Sequence, residues 1–170
     1  MKALAEALEV LTSGDGFLLT THLHPDGDGL GSMLALGRAL KNRGKSVEMV
    51  MAEGVPSPYT FLAGAEEVRR APAAGFAPSL VVALDCGDRE RMALPFDPHL
   101  PILNIDHHLS NDLFGRINLV DPEAAATGEI VHRLLAAGGY EFDAEIATAL
   151  YVAVATDTGF FRYTNATRSA

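Results

Sequence analysis

Apolar positions along this chain fall into two rhythms. Leu4, Leu8 and Leu11 share one stripe at helical spacing, which predicts a helix over 1–13 that Ser13-Gly14-Asp15-Gly16 ends. Phe17 to Thr21 is a short, β-prone run and predicts a strand. Helical spacing returns from Gly29 to Asn42, with Leu30, Met33, Leu34, Gly37 and Leu40 inward, and Gly44 stops it. Ser46 to Met51 predicts a second strand. Leu80 to Leu84 and Ile102 to Ile105 are fully apolar strands, and Ile117 to Val120 is a shorter one. Ala124 to Ala137 predicts a helix ended by Gly138-Gly139, and Asp143 caps a last helix, Ala144 to Thr156. Pro56, Pro58, Pro72 and Pro78 break residues 53–78 into loops around a short helix near Tyr59 to Leu62. Strands that alternate with helices predict an α/β, three-layer domain. Its sheet is mostly parallel and Rossmann-like, of about five strands, with helices on both faces.

Composition agrees with one globular domain over 1–170. The chain has 170 residues, 48% hydrophobic and 21% charged, with no repeat, low-complexity tract or interdomain linker. No apolar run approaches a membrane span. The first residues lack a signal-peptide pattern, so the expected location is cytoplasmic. A lone Cys86 excludes an internal disulfide and a thiolate metal cluster. The net charge of −9 argues against nonspecific nucleic-acid binding through a broad basic surface. It does not argue against a phosphate substrate held at a metal.

The candidate chemistry sits where strands and helices end. His22-Leu23-His24-Pro25-Asp26-Gly27-Asp28 follows the first strand, Asp85-Cys86-Gly87-Asp88 follows Leu84, Asp106-His107-His108 follows Ile105, and Asp157 closes the last helix. Parallel α/β sheets bind ligands beyond the carboxyl ends of their strands, so three of these segments share one edge. Asp26, Asp28, Asp85 and Asp157 would repel one another there without cations. Oxygen-rich ligands with imidazole and no thiolate favour Mn²⁺, then Mg²⁺ or Co²⁺, over structural zinc. Two such cations would bring the protein to a net charge of about −5 and make the local field favourable to phosphate. Asp26 and Asp28 straddle Gly27 and can each serve a different metal, with Asp85 as the candidate bridge. Two metals about 3.5–4 Å apart activate water and stabilise in-line displacement at phosphorus. Asp157 stands at a helix C-terminus, where only a cation makes an anion comfortable. The helix opened by Gly29 offers free N–H groups to an anion, and Arg162 can grip a phosphate oxygen.

Other polar residues have plainer readings. His24 before Pro25 reads as a loop residue, although spacing alone leaves His22 and His24 both open as ligands. Asp88, Arg89, Glu90 and Arg91 read as a solvated charged face, Asp121 before Pro122 as a turn, and His99 and His132 as surface histidines. Cys86 reads as a buried small residue.

At these positions the chain resembles the DHH phosphoesterase family. Residues from His22 to Ser32 look like its first motif, Leu84 to Gly87 like its second, and Asp106-His107-His108 like its third. Thr156 to Tyr163 is similar to the fourth motif, in the form of the oligoribonuclease and 3′-phosphoadenosine-5′-phosphate phosphatase branch, the nanoRNases. The likeness runs from about residue 15 to 165. It implies one metal on His22, Asp26 and Asp85, and a second on Asp28, Asp85, His107 and Asp157. It selects His22 over His24, and it sets His108 against the scissile phosphate, with Asp85 and His108 as the catalytic pair. Gly29 stands where many relatives carry alanine, a harmless departure. The family's second, substrate-gripping domain is absent, so the chain is expected to be a truncated catalytic domain.

The resulting expectation is a Mn²⁺-dependent phosphohydrolase of short oligonucleotides and small nucleotide 3′-phosphates, working as a homodimer. Its rivals are a manganese-dependent inorganic pyrophosphatase of the same superfamily, a RecJ-type single-strand exonuclease and a non-catalytic nucleotide-binding module.

Overall fold

The structure is a computed structural model that describes residues 2–92, 94 and 96–170. Helix α1 (Lys2–Ser13) leads into β1 (Phe17–Thr20), α2 (Gly27–Asn42) and β2 (Val47–Val50). Three further strands follow, β3 (Leu80–Leu84), β4 (Ile102–Asp106) and β5 (Ile117–Val120), and then α3 (Thr127–Ala137) and α4 (Ala144–Asp157). The strands form one sheet in the order β2-β1-β3-β4-β5, with every pairing parallel. β3 and β4 are buried at every position, as their unbroken apolar sequences require, whereas β5 at the edge is only half-buried.

Alternate strand residues serve two cores. Phe17, Leu19, Met49, Val82, Leu84, Leu103 and Ile105 pack with buried residues of all four α-helices. Leu18, Val50, Val81, Ala83 and Ile102 point the other way, against Met92, Phe76, Leu94, Phe96 and Phe114. The third layer is therefore built from loops and a 3₁₀ turn at Glu90–Met92 rather than from a long helix. Crossover direction explains this. The connection through α2 runs from β1 outward to β2, while those reaching β3, β4 and β5 run the opposite way along the sheet. With a single crossover hand they must cover the opposite face; Pro56, Pro58, Pro72 and Pro78 break up the long connection to β3, and the connection from β4 to β5 is short.

Several element ends shift by a residue from the sequence reading, and three starts shift by two or more. α2 begins at Gly27 because the Asp26 carboxylate caps it, accepting from the N–H groups of Asp28 (3.0 Å) and Gly29 (3.1 Å). α3 begins at Thr127, three residues late, since Ala126 is extended (φ −163°, ψ 160°) and Ala125 N–H is taken by Glu129 Oε2 at 2.8 Å. This local bond, with the reach of the Thr127 and Gly128 N–H groups to Asp28, overrides the helix propensity of three alanines. The short helix expected near Tyr59 to Leu62 is a 3₁₀ turn at Ser57–Tyr59, entered from Pro56.

α2 and α4 approach closely at Gly31. A Cβ there would sit 2.4 Å from the Ala149 carbonyl oxygen and 3.1 Å from Ala153 Cβ. Alanine gains about 1 kcal/mol in helix propensity, but overpacking against backbone costs about 3 kcal/mol. Gly31→Ala should therefore lose about 2 kcal/mol, read as a lower urea midpoint at unchanged slope.

Candidate metal centre

Parallel pairing brings every strand's carboxyl end to one edge of the sheet. Thr20 pairs with Ala83 and Leu84 with Ile105, so continuing the register by a residue or two aligns His22, Asp85 and Asp106. Asp85 takes a left-handed backbone (φ 59°), held by its N–H donating to Ile105 O at 2.9 Å. Aspartate tolerates that region better than most residues. Its buried carboxylate is then shared between two imidazoles: Oδ2 lies 3.4 Å from His22 Nε2, and Oδ1 lies 3.8 Å from His107 Nε2. The Thr127 hydroxyl donates to Oδ1 at 2.9 Å.

Three overlapping groups of side chains that could hold a metal ion gather here, one of them Asp85, His107 and His108. On one side are His22, Asp26 and Asp85, with donor atoms within 4.8 Å of one another. The His22 Nδ1–H donates to Leu23 O at 2.6 Å, which leaves Nε2 facing the carboxylates. On the other side are Asp28, His107 and Asp157. His107 turns Nδ1 to Ala124 O (3.3 Å) and holds Nε2 3.8 Å from Asp28 Oδ2 and 3.6 Å from Asp157 Oδ2. Asp28 sits at the N-terminus of α3 and accepts from the N–H groups of Thr127 (2.7 Å) and Gly128 (2.9 Å) and from Ser32 Oγ (3.2 Å).

The electrostatics are strained in a way that cations relieve. Burial pushes the Asp28 carboxyl well above its usual range, and the Asp85 and Asp157 charges push the same way. Asp157 is also raised, by burial and by the charges of Asp85 and Asp26, against the opposing pull of His107. Burial disfavours charge on His22, but Asp26 and Asp85 outweigh it and lift the imidazole to about 10. Among the described residues no lysine or arginine pairs with Asp26, Asp28, Asp85 or Asp157. Imidazoles fixed at their outer nitrogens, uncompensated carboxylates and no soft donor fit two hard divalent cations that share Asp85.

A second set of contacts orients His108. Its Nδ1–H donates to Asp106 Oδ1 at 2.8 Å, and Asn111 Nδ2 donates to Asp106 Oδ2 at 2.6 Å. The Asp106 hydrogen bond raises the His108 pKa most, and His108 and Asn111 hold Asp106 low against its burial. The ring also stands with Nδ1 3.6 Å from Asp85 Oδ1. His108 is thus held in one orientation at the rim of the clusters, with its charged form favoured by Asp106.

Several sequence expectations change here. The Gly29 N–H does not face an external anion, because the Asp26 carboxylate occupies it. Gly29 itself has a packing role: a Cβ would lie 2.1 Å from Thr21 Oγ1, so alanine requires that side chain to turn. Arg162 is exposed, and its guanidinium makes no hydrogen bond or ion pair with the cluster among the described residues. Arg89 and Glu90 are solvated as expected, but Arg91 is not. Its guanidinium turns inward to lie 3.4 Å from His22 Nδ1. His24 faces away and pairs with Glu53 at 3.2 Å, His99 and His132 are exposed, Asp121 forms a turn, and Cys86 is buried. Thr127, Gly128, Asn111 and Arg91 went unrecognised as part of the site. Thr127, Gly128 and Arg91 act on partners from other segments, and Asn111 reaches Asp106, five residues back, only through the fold of its own turn.

An all-parallel α/β domain whose sheet edge gathers carboxylates and imidazoles around one shared aspartate defines a domain suited to divalent metals. The chain belongs to the DHH family, matching its N-terminal domain over residues 17–154. It is 39% identical over 172 residues to the bifunctional oligoribonuclease and PAP phosphatase NrnA of Thermus thermophilus, covering 98% of this chain and 50% of that protein. The NrnA of Bacillus subtilis is 28% identical, covering 95% of this chain and 52% of that protein. An exopolyphosphatase-related protein from Bacteroides fragilis superposes with a TM-score of 0.88 at 26% identity, over 98% of this chain and 53% of that one. The chain spans about half the length of the curated relatives it matches. No helix among the described residues is long and apolar enough to cross a membrane.

Proposed function

We propose that this domain is the catalytic part of a two-metal phosphoesterase that hydrolyses short oligonucleotides and nucleotide 3′-phosphates such as 3′-phosphoadenosine-5′-phosphate. The observation that carries the reading is Asp85: one buried carboxylate with an imidazole nitrogen beyond each oxygen. His22, Asp26 and Asp85 would hold one cation, and Asp28, Asp85, His107 and Asp157 the other. The hard donor set favours Mn²⁺. When bound, the cations supply an activated water and positive charge for the phosphoryl oxygens. Thr127 fixes the bridging carboxylate, and the α3 N-terminus fixes Asp28. His108, oriented by Asp106, donates to a phosphate oxygen and offers a proton to the departing one. Arg162, on the turn after Asp157, remains a candidate for gripping substrate at the rim.

The names of the relatives support oligonucleotide and nucleotide phosphates as substrates, and a lone cysteine and a nucleotide substrate fit a cytoplasmic setting. Exposed Tyr151, Phe160, Phe161 and Tyr163 support contact with a second copy in a homodimer. The test is hydrolysis of a ribodinucleotide and of 3′-phosphoadenosine-5′-phosphate, with Mn²⁺ and with chelator, beside pyrophosphate and long single-stranded DNA. Metal-dependent cleavage of the first two is expected. Turnover of pyrophosphate or of long DNA alone would transfer the assignment to the pyrophosphatase or the exonuclease. Nucleotide binding without product would leave a binding module.

A further inference from the structure

Among the described residues, the guanidinium of Arg91 is the strong cation turned toward the carboxylate cluster, and its position is unusual. It lies 3.4 Å from His22 Nδ1. That nitrogen already donates its hydrogen to Leu23 O at 2.6 Å, so it offers the guanidinium no lone pair. No carboxylate pairs with Arg91 among the described residues, although four belong to the adjoining clusters. The backbone of Arg91 is meanwhile fully engaged: its N–H donates to Asp88 Oδ1 at 2.9 Å, and its carbonyl accepts from Leu23 N–H at 2.7 Å. The first bond closes the turn after β3, the second ties that turn to the loop after β1, and together they set the side chain at the cluster's edge. A half-buried fork of five donors is held there without an acceptor.

We propose that Arg91 is a substrate-binding residue that grips a non-bridging oxygen of the phosphate undergoing cleavage, from the His22 side. The inference rests on the phosphoesterase reading above. Two divalent cations neutralise four carboxylates and leave no surplus charge for an incoming phosphate. Arg91 then supplies it from the His22 side, and a guanidinium fork suits phosphate oxygens.

The test compares the wild-type protein with Arg91→Ala and Arg91→Lys, each loaded with Mn²⁺. Binding of inorganic phosphate is measured by calorimetry, Mn²⁺ affinity separately, and KM for a ribodinucleotide alongside. Arg91→Ala should weaken phosphate binding and raise KM by at least ~10-fold, with Mn²⁺ affinity unchanged and Arg91→Lys in between. The backbone bonds survive both substitutions, so the fold is retained. Unchanged phosphate binding in Arg91→Ala would overturn the proposal. So would an equal loss of Mn²⁺ affinity, because the guanidinium would then be positioning His22 rather than binding substrate. If the wild-type protein binds phosphate no better with Mn²⁺ than with chelator, the phosphoesterase reading itself fails and this inference falls with it.

Discussion

Asp85→Ala should lower hydrolysis by at least ~10³-fold, about 4 kcal/mol of transition-state stabilisation. The size follows from geometry. The other five proposed ligands each face a single cluster, whereas Asp85 offers one oxygen to His22 and one to His107. Its loss therefore weakens both cation sites together and removes the group that sets their separation. Titration with Mn²⁺ should show both binding events weakened. Asp157→Asn, which touches only the cluster of His107 and Asp28, should spare the one built on His22. The fold should persist in Asp85→Ala. The vacated Thr127 hydroxyl costs about 1 kcal/mol, but repulsion on the buried Asp28 is relieved. Near-normal turnover in a folded Asp85→Ala protein would sink the shared-aspartate mechanism.

The metal-free and metal-loaded proteins should respond to pH with opposite slopes. Asp28 and Asp157 have folded pKa values above the ordinary carboxylate value. The folded protein therefore holds those protons more tightly than the unfolded chain. Stability falls as pH rises from the ordinary value through the folded one. His22 acts in the same sense. Its contribution is complete below its ordinary value of 6.5 and is lost as pH climbs through about 10. Asp26 and Asp106 are depressed, so their contribution disappears only in acid, as pH drops through their folded values. Without metal, stability should thus be greatest in mild acid and decline toward pH 9. Divalent cations displace the protons on His22, Asp28 and Asp157, so Mn²⁺ stabilisation should grow over the same range. Melting curves from pH 5 to 9, with chelator and with Mn²⁺, would read this directly. About 1 kcal/mol corresponds to roughly 2–4 °C in a domain of this size. A chelated protein whose melting temperature rises from pH 6 to 9 would contradict the strained-carboxylate description.

Much of this architecture was written locally. Leu80–Leu84 and Ile117–Val120 appear as strands at the expected residues, because a short apolar run between turn formers has few other ways to bury itself. Asp143 caps α4 as its sequence position implies, accepting from Ile146 N–H at 2.8 Å. The placement of His22, Asp85 and His107 after strands was likewise legible, and parallel pairing made one edge of the sheet their meeting place. Tertiary structure alone decided what each group touches. The α3 N–H groups reach Asp28 across 99 and 100 residues, and no periodic pattern records a contact at that separation. Arg91 is an ordinary loop residue until strand order β2-β1-β3-β4-β5 brings its turn beside His22, and Asn111 is one until the turn after β4 folds back onto Asp106. Gathering the long helices on one face also depended on crossover direction, which follows from strand order. Amino-acid sequence by itself determined the elements and the chemistry at their ends, since hydrophobic period and turn residues act over a few positions. The three-dimensional arrangement determined which nitrogen faces which oxygen, because those distances are set by packing between segments far apart along the chain.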